Sequence, residues 1–108
     1  MADKGKRSNK THIIPWRAIR EFLESHPEDP SALGSFSEWY DMVENSPFAN
    51  FNEVKSVFPT ASLVDDLIVF NIGGNKYRLT TWIIYKSRKI YIRRIMTHAE
   101  YNKGGWRE

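Results

Sequence analysis

The chain has no cysteine among its 108 residues, which excludes disulfides and thiolate chemistry and suits a reducing compartment. No apolar run reaches the length that a transmembrane helix needs, and the charged N-terminus "MADKGKRSNK" has no apolar segment behind it. These absences predict a cytoplasmic protein without a signal peptide or a membrane span. No spacing of histidines and carboxylates resembles a set of metal ligands, and no glycine pattern matches a P-loop. We therefore expect neither a metal nor a small-molecule cofactor.

The composition is that of a globular protein, with 41% hydrophobic and 14% aromatic residues. The length fits one domain, which we place at residues 11–108 after a flexible basic tail at residues 1–10. Charge is distributed unevenly along this domain. Residues 15–66 contain three basic and ten acidic residues, whereas residues 67–108 contain nine basic and two acidic residues. Such asymmetry is typical of a protein with a polyanionic partner, although the two halves can also neutralise each other across the fold.

The first half of the domain has the pattern of helices. A short strand in "THIIPW" precedes a first helix that follows Pro15. A second helix is predicted with Asp29 as its N-cap and Pro30 as its first helical residue. One or two further helical turns are expected between Asn52 and Pro59.

The second half has the pattern of strands. Three β-branched and aromatic runs, "LIVFNI", "KYRLTTWIIY" and "KIYIRRIMT", are separated by turns at "GG" and "KSRK". A short terminal helix is expected in "THAEYNK", with Thr97 as its cap. This order predicts an α+β fold, in which the N-terminal strand and the helices pack on one face of a small antiparallel sheet.

The "GG" turn decides which side chains share a face. A two-residue turn at Gly73-Gly74, or one residue later, puts the apolar residues of both strands toward the helices. The glycines are expected to adopt positive φ in this turn and not to cradle a phosphate themselves. The other side of the sheet, which we call the outer face, then receives a polar set: Asn71, Lys76 and Arg78.

The "KSRK" turn adds aromatic residues to the outer face. A two- or four-residue turn here pairs Trp82 with Arg93 and brings Thr97 opposite Arg78. Tyr91 then lies on the outer face together with Trp82 and Arg93. Cations interleaved with aromatic rings suit single-stranded nucleic acid, because bases stack on rings while phosphates meet arginines. The alternative is a solvated face with cation–π pairs such as Arg93 over Trp82, worth about 0.5–1 kcal/mol.

His98 and Tyr101 follow the last strand, close to the predicted position of Arg78. A histidine that titrates near neutrality can carry a proton, and an arginine can stabilise the charge that develops on a phosphorane. His12 and His26 have no comparable set of neighbours in the sequence.

The segment "FNIGGNKYRL", followed by "IYIRRIMTHAEYNK", resembles the HigB-type toxins of bacterial toxin–antitoxin modules. These toxins are mRNA interferases of the RelE-like superfamily. The resemblance extends upstream through "NEVKSVFPTAS" and "SEWYDMVENS" and covers residues 11–106. The basic tail is a departure from the short members of this family.

The resemblance implies a RelE-like fold and an endoribonuclease that needs no metal and cleaves mRNA on the translating ribosome. In such enzymes the ribose 2′-hydroxyl attacks the adjacent phosphate and leaves a 2′,3′-cyclic phosphate and a 5′-hydroxyl. It also implies a cognate helix-turn-helix antitoxin, similar to HigA. On the matching positions, the predicted catalytic residues are Arg78, which stabilises the phosphate, with His98, Tyr101 and Lys76, among which the acid and base roles stay open. The predicted RNA-binding residues are Asn71, Asn75, Trp82, Tyr91 and Arg93.

Two other functions remain open at the level of sequence. A non-catalytic RNA- or ribosome-binding module would use the same basic and aromatic face. A protein-interaction domain without RNA contact would bind its partner with little dependence on salt, whereas RNA binding weakens steeply as salt rises.

Overall fold

A computed structural model describes residues 10–107, so almost all of the predicted basic tail lies outside the described residues. The strands are β1 (His12–Ile14), β2 (Ser62–Val64), β3 (Leu67–Ile72), β4 (Tyr77–Ile84) and β5 (Lys89–Thr97). The helices are α1 (Trp16–Glu24), α2 (Ala32–Glu44), α3 (Phe51–Val57) and α4 (His98–Lys103), followed by a 3₁₀ turn at Gly105–Arg107. Within residues 10–107, no helix is both long enough and apolar enough to cross a bilayer.

The five strands form one sheet in the order β1-β5-β4-β3-β2. Strands β2 to β5 pair antiparallel, and β1 pairs with β5 in parallel. The predicted α+β class is confirmed, but two features are new. Strand β2 was not predicted, because three residues are too few for a recognisable alternation. The place of β1 was not predictable either, since its parallel partner lies 77 residues further along the chain, as in the pair His12 and Lys89.

Helices α1 to α3 cover one face of the sheet and form the main core with it. The stripe on α2 consists of Ala32, Phe36, Trp39 and Val43, all buried, at the spacing that puts them on one side of a helix. Facing them is Phe70 of β3, whose ring makes an edge contact with Trp39 at 5.3 Å between centroids. This face therefore has the composition that the strand alternation predicted.

The predicted start of the second helix is wrong by two residues. Helix α2 begins at Ala32, and Ser31 is its N-cap without a side-chain cap hydrogen bond. Asp29 does not cap the helix because its Oδ1 accepts from the amide and the hydroxyl of Ser31, at 3.2 Å and 2.6 Å, and so stabilises the turn before it.

Asp29 also joins the α1–α2 turn to the sheet. Its Oδ2 accepts a 2.6 Å hydrogen bond from the Tyr77 hydroxyl and lies 3.4 Å from Lys76 Nζ. The hydrogen bonds from Ser31 and Tyr77 lower the pKa of Asp29 from 3.8 to about 2. In turn, the hydrogen bond to Asp29 raises the pKa of Tyr77 to about 12. The Tyr77 ring packs against Phe22 and Phe36 of the core. The start of β4 is therefore fixed to the helical layer by one buried aromatic residue.

The outer face is not fully solvated, contrary to the sequence-based expectation. The chain after β5 folds back over it, and Trp106 packs with Val69 and Met96 in a second, smaller core. Arg78 and Thr80 of β4 are buried on this face, and Arg78 lies against the Tyr101 ring of this segment. Residues near the other end of the same face, such as Trp82, remain exposed. The Arg78 end of the outer face is therefore covered by the chain itself.

The predicted pairing of β4 with β5 is wrong in register. The turn between them has four residues, 85–88, and Trp82 pairs with Tyr91 instead of Arg93. A β-bulge then shifts the ladder, because Thr81 pairs with Ile92 but Thr80 pairs with Arg94. Arg93 is the additional residue on the bulged strand. As a result, Met96 lies opposite Arg78, and Thr97 lies opposite Tyr77.

Replacing Tyr77 with Phe should lower the free energy of unfolding, because a hydrogen bond to a charged carboxylate is lost. Urea denaturation at pH 7 measures this difference. The difference should narrow as the pH falls from about 4 toward 2, since Asp29 becomes protonated in that range and its contribution is lost. Tyr91→Phe is the control, because the Tyr91 hydroxyl has no hydrogen bond within the described chain. An effect of Tyr77→Phe that does not change with pH would contradict the assignment to Asp29.

Replacing Trp106 with Ala should lower the free energy of unfolding by about 3 kcal/mol, the usual loss when a large aromatic side chain is removed from a core. The matched control is Trp82→Ala on the same face, since Trp82 is 48% exposed and its loss should change stability by less than about 0.5 kcal/mol. Urea denaturation of the two variants tests the comparison. Equal stabilities would show that the smaller core does not contribute to folding.

Candidate active site

The turn between β3 and β4 has four residues, from Gly73 to Lys76, and not the two that were predicted. Gly73 and Gly74 have φ angles of 65° and 69°, which confirms their expected role as turn residues. Across this turn Asn71 pairs with Arg78, so both side chains lie on the outer face. The turn therefore places an arginine at the start of the central strand β4.

The guanidinium of Arg78 is held by neutral oxygens. Nη1 donates to the carbonyl oxygens of Asn75 and Tyr77 at 3.3 Å and 3.1 Å, and Nη2 donates to Asn75 Oδ1 at 2.9 Å. The residue is 8% exposed. Within residues 10–107 it forms no ion pair with a carboxylate. A buried cation without a counter-ion is costly, so this arrangement indicates a site for an anion.

Helix α4 brings two further candidate residues to Arg78. Thr97 caps this helix as predicted, in a capping box with Glu100. The amide of His98 donates to the carbonyl of Lys76 at 2.9 Å, which continues the β4–β5 ladder into the helix. Tyr101 lies one helical turn further on, and the ring centroid is 5.5 Å from Arg78 Cζ. Arg78, His98 and Tyr101 are therefore brought to one end of the sheet, as the sequence predicted.

His98 has a neighbour that fixes its ring. Asn102, four residues later on α4, lies with its side-chain nitrogen 2.9 Å from His98 Nδ1. The donor and acceptor roles in this contact depend on the histidine tautomer and on the orientation of the amide, whose oxygen can accept where its nitrogen donates, so Asn102 occupies Nδ1 in either case. Nε2 is therefore the ring nitrogen left for proton exchange with a substrate.

Tyr101 stacks on Trp106, with the ring centroids 4.9 Å apart and the planes at 19°. The indole Nε1 of Trp106 also donates to the Tyr101 carbonyl at 3.0 Å. The Tyr101 hydroxyl has no hydrogen-bond partner in the part of the chain that the structure describes. Its ring is occupied by Trp106 and Arg78, which leaves the hydroxyl as the group that can meet a substrate.

Lys76 does not belong to this group, and its predicted place on the outer face is wrong. It is the last residue of the four-residue turn, and its Nζ lies 3.4 Å from Asp29 Oδ2 and 3.3 Å from Ser31 Oγ. The longer turn removes Lys76 from the strand alternation and directs its ammonium group to the helical layer. Its attraction to the Asp29 carboxylate explains this position.

Asn75 is also engaged differently from its prediction as an RNA-binding residue. Its side-chain oxygen accepts from Arg78, so the part of Asn75 that faces the site is in use within the protein. Asn71 is half-buried and pairs directly with Arg78 across strands β3 and β4.

The aromatic pair on the outer face lies further along the sheet. Trp82 and Tyr91 pair directly, with ring centroids 6.3 Å apart, and Trp82 is the more exposed of the two. Trp82 is four residues from Arg78 on β4, or about 13 Å along the strand. The structure thus places the predicted aromatic residues on the same face as Arg78 but not in contact with it.

The β5 bulge adds two adjacent arginines to this face. Ile92 and Ile95 both pack on the main core, so the residues between them, Arg93 and Arg94, lie on the other side of the strand. Arg93 is exposed. Arg94 lines an open cavity with Met96 and Trp106.

Two residues near the site were not recognised from the sequence: Asn102 and Trp106. The spacing of Asn102 from His98, four residues on a predicted helix, was a usable signal. Trp106 had none, since it lies in a single 3₁₀ turn after a glycine pair. No cluster of three or more potential metal ligands occurs in the described part of the chain.

The chain matches one family model, HigB_toxin, described as the RelE-like toxic component of a toxin–antitoxin system, over residues 33–104. The mRNA interferase toxin HigB of Escherichia coli (strain K12) is 31% identical over 94 residues, which are 84% of this chain and 88% of that protein. The mRNA interferase HigB of Escherichia coli O6:H1 is 27% identical over 95 residues, or 85% and 89% of the two chains. The match includes the β3–β4 turn, Arg78 and α4. The chain therefore belongs to the HigB toxin family, the RelE-like toxic components of toxin–antitoxin systems.

Proposed function

We propose that this protein is an endoribonuclease that cleaves mRNA and thereby inhibits translation, as the toxin of a toxin–antitoxin module. The observation that carries the proposal is the nearly buried Arg78, whose hydrogen bonds all go to neutral acceptors, next to the helix that carries His98 and Tyr101. The names of its relatives, which are mRNA interferases, support the same activity.

The proposed reaction is an attack within the RNA strand. The ribose 2′-oxygen forms a bond to the adjacent phosphorus, and the bond from phosphorus to the 5′-oxygen of the next nucleotide breaks. The 2′-hydroxyl gives up its proton to a base, and the leaving 5′-oxygen receives a proton from an acid. The products are a 2′,3′-cyclic phosphate and a 5′-hydroxyl, with no metal in any step.

Arg78 and His98 carry the two main roles in this proposal. The guanidinium of Arg78 donates to the phosphate oxygens, where negative charge increases in the transition state. His98 exchanges a proton with the substrate through Nε2, because Asn102 occupies Nδ1. The Tyr101 hydroxyl is the second group within reach of the phosphate at Arg78, so either it or His98 acts as base.

The RNA strand is proposed to continue along the outer face from Arg78 toward Trp82. Exposed or half-exposed aromatic rings, Trp82 and Tyr91, stack on bases, and Arg93 neutralises a phosphate between them. This path would place Asn71 beside the scissile phosphate.

As a member of a toxin–antitoxin family, the protein has an antitoxin as its partner. We propose that this antitoxin is a helix-turn-helix protein similar to HigA and that cleavage takes place on the translating ribosome in the cytoplasm. The acidic helical layer covers the other side of the sheet, so the outer face stays available for mRNA.

Replacing Arg78 with Ala should reduce mRNA cleavage by about 100- to 1,000-fold, the usual loss for one donor to an oxyanion. Arg78→Lys should retain little activity, because a single ammonium cannot replace a planar pair of donors. His98→Ala should reduce cleavage by about 100- to 10,000-fold. Cleavage of a defined mRNA in a purified translation reaction measures each rate, and circular dichroism verifies folding.

Arg17→Ala and His12→Ala are the matched controls for these variants. Both residues are exposed on the helical side or the β1 edge, and their loss should leave the rate unchanged. Wild-type cleavage by a folded Arg78→Ala variant would refute the proposed site.

Replacing Trp82 with Ala should weaken binding of a single-stranded RNA oligonucleotide by about 1–3 kcal/mol, since one stacked base is lost. Replacing Arg93 with Ala should instead reduce the slope of log K against log salt by about 0.7. Fluorescence anisotropy at several salt concentrations gives both quantities. Leu33→Ala is the apolar control, because Leu33 is an exposed residue of α2 on the helical side. Unchanged affinity in both outer-face variants would mean that RNA does not follow this path.

The same assays separate the proposal from a non-catalytic RNA- or ribosome-binding module. Tight binding to RNA or ribosomes without mRNA cleavage would favour the binding module. Partner binding that is insensitive to salt would favour a protein-interaction domain without RNA contact.

A further inference from the structure

We propose that Asn75 is a positioning residue, which orients the Arg78 guanidinium with a neutral acceptor and so leaves its charge available to the phosphate. This inference rests on the proposed role of Arg78 in RNA cleavage. It assigns Asn75 a function through Arg78 instead of a direct contact with RNA.

The hydrogen bonds of Arg78 show how Asn75 acts. Asn75 accepts from both terminal nitrogens of the guanidinium, with its carbonyl oxygen at 3.3 Å from Nη1 and its Oδ1 at 2.9 Å from Nη2. The Tyr77 carbonyl takes the other Nη1 bond at 3.1 Å. One residue therefore fixes the rotation of the guanidinium plane through two contacts.

The donors that remain suit a phosphate. A guanidinium has five N–H groups, and the three hydrogen bonds to protein use two on Nη1 and one on Nη2. Because Asn75 accepts from both terminal nitrogens, its contacts lie on the edge that these two nitrogens share, which leaves the Nε–H group and the second Nη2–H group on the adjacent edge. Two parallel donors on one edge are the arrangement that binds a phosphate in bidentate fashion.

The choice of asparagine over aspartate fits this role. An aspartate in the same place would accept the same hydrogen bond more strongly, but its charge would cancel that of Arg78. An amide oxygen gives the orientation without the neutralisation. The two carbonyl oxygens in the cluster are neutral as well.

Turn formation does not account for Asn75. Asparagine is common in turns because it tolerates positive φ, but the non-glycine residues with positive φ in the described chain are Asp65 and Arg88. Asn75 is exposed and packs in neither core. Its side chain is therefore available for substitution without loss of buried contacts.

The test compares Asn75→Ala and Asn75→Asp with Arg78→Ala, using a single-stranded RNA oligonucleotide for binding and a defined mRNA for cleavage. Asn75→Asp should reduce the salt slope of RNA binding by about 0.7, as Arg78→Ala does, because each removes one phosphate contact. Asn75→Ala should keep the wild-type slope but reduce the cleavage rate by up to about 100-fold, because the guanidinium is no longer oriented. In the Arg78→Ala background, Asn75→Ala should cause no further loss of RNA affinity.

Asn52 supplies the controls for residue type and charge. It is exposed on α3, so Asn52→Ala and Asn52→Asp make the same chemical changes away from the outer face and should alter neither slope nor rate. Thermal unfolding of all variants separates an effect on the site from an effect on the fold.

Each contrary result has a distinct meaning. If Asn75→Asp keeps the wild-type slope and rate while Arg78→Ala loses both, the positioning role is wrong and the proposed function stands. If Asn75→Ala weakens binding further in the Arg78→Ala background, Asn75 contacts RNA itself. If both Asn75 variants lose stability and keep the wild-type slope, the residue is structural. Wild-type cleavage by Arg78→Ala would instead refute the proposed function.

Discussion

The alternation of side chains at the start of β4 determines how this small protein is organised. Tyr77 and Arg78 are neighbours in a strand, so one must face the helices and the other the outer face. Tyr77 is fixed in the main core by Phe22 and Phe36 and by its hydrogen bond to Asp29. Because Tyr77 cannot turn outward, Arg78 cannot turn inward. A contact in the helical layer therefore sets the position of the arginine on the opposite side of the sheet.

The surroundings of Arg78 favour binding an anion over stabilising the fold. A structural arginine of this burial normally has a carboxylate partner, which repays part of the cost of removing the charge from water. Here the neighbours are carbonyl and amide oxygens and the ring of Tyr101. They keep the guanidinium in place without cancelling its charge. Acidic residues are concentrated in the helical half of the chain, so a polyanion meets less repulsion at the outer face.

The sequence predicted the elements well and their register poorly, for physical reasons that differ by residue. Helical spacing and the Thr97 cap are local signals, and both were confirmed. Lys76 was misplaced because a four-residue turn removes it from the alternation, and neither glycine indicates turn length. Arg93 was misaligned because a β-bulge leaves no mark in a run of alternating residues. Trp106 depends on a tertiary contact with β3 and β5, which no local pattern encodes.

The bulge has a consequence for the site that a regular strand would not have. With strict alternation, only one of Arg93 and Arg94 could lie on the outer face, whereas the bulge turns both away from the core. Positive charge thus occupies the middle of the face, between Trp82 and Arg78, which lie about 13 Å apart along β4. Stacked bases are spaced by about 3.4 Å, so a strand that reaches both ends spans several nucleotides. On the proposed RNA path, the aromatic pair and Arg78 would therefore act on different nucleotides of one strand, with Arg93 between them.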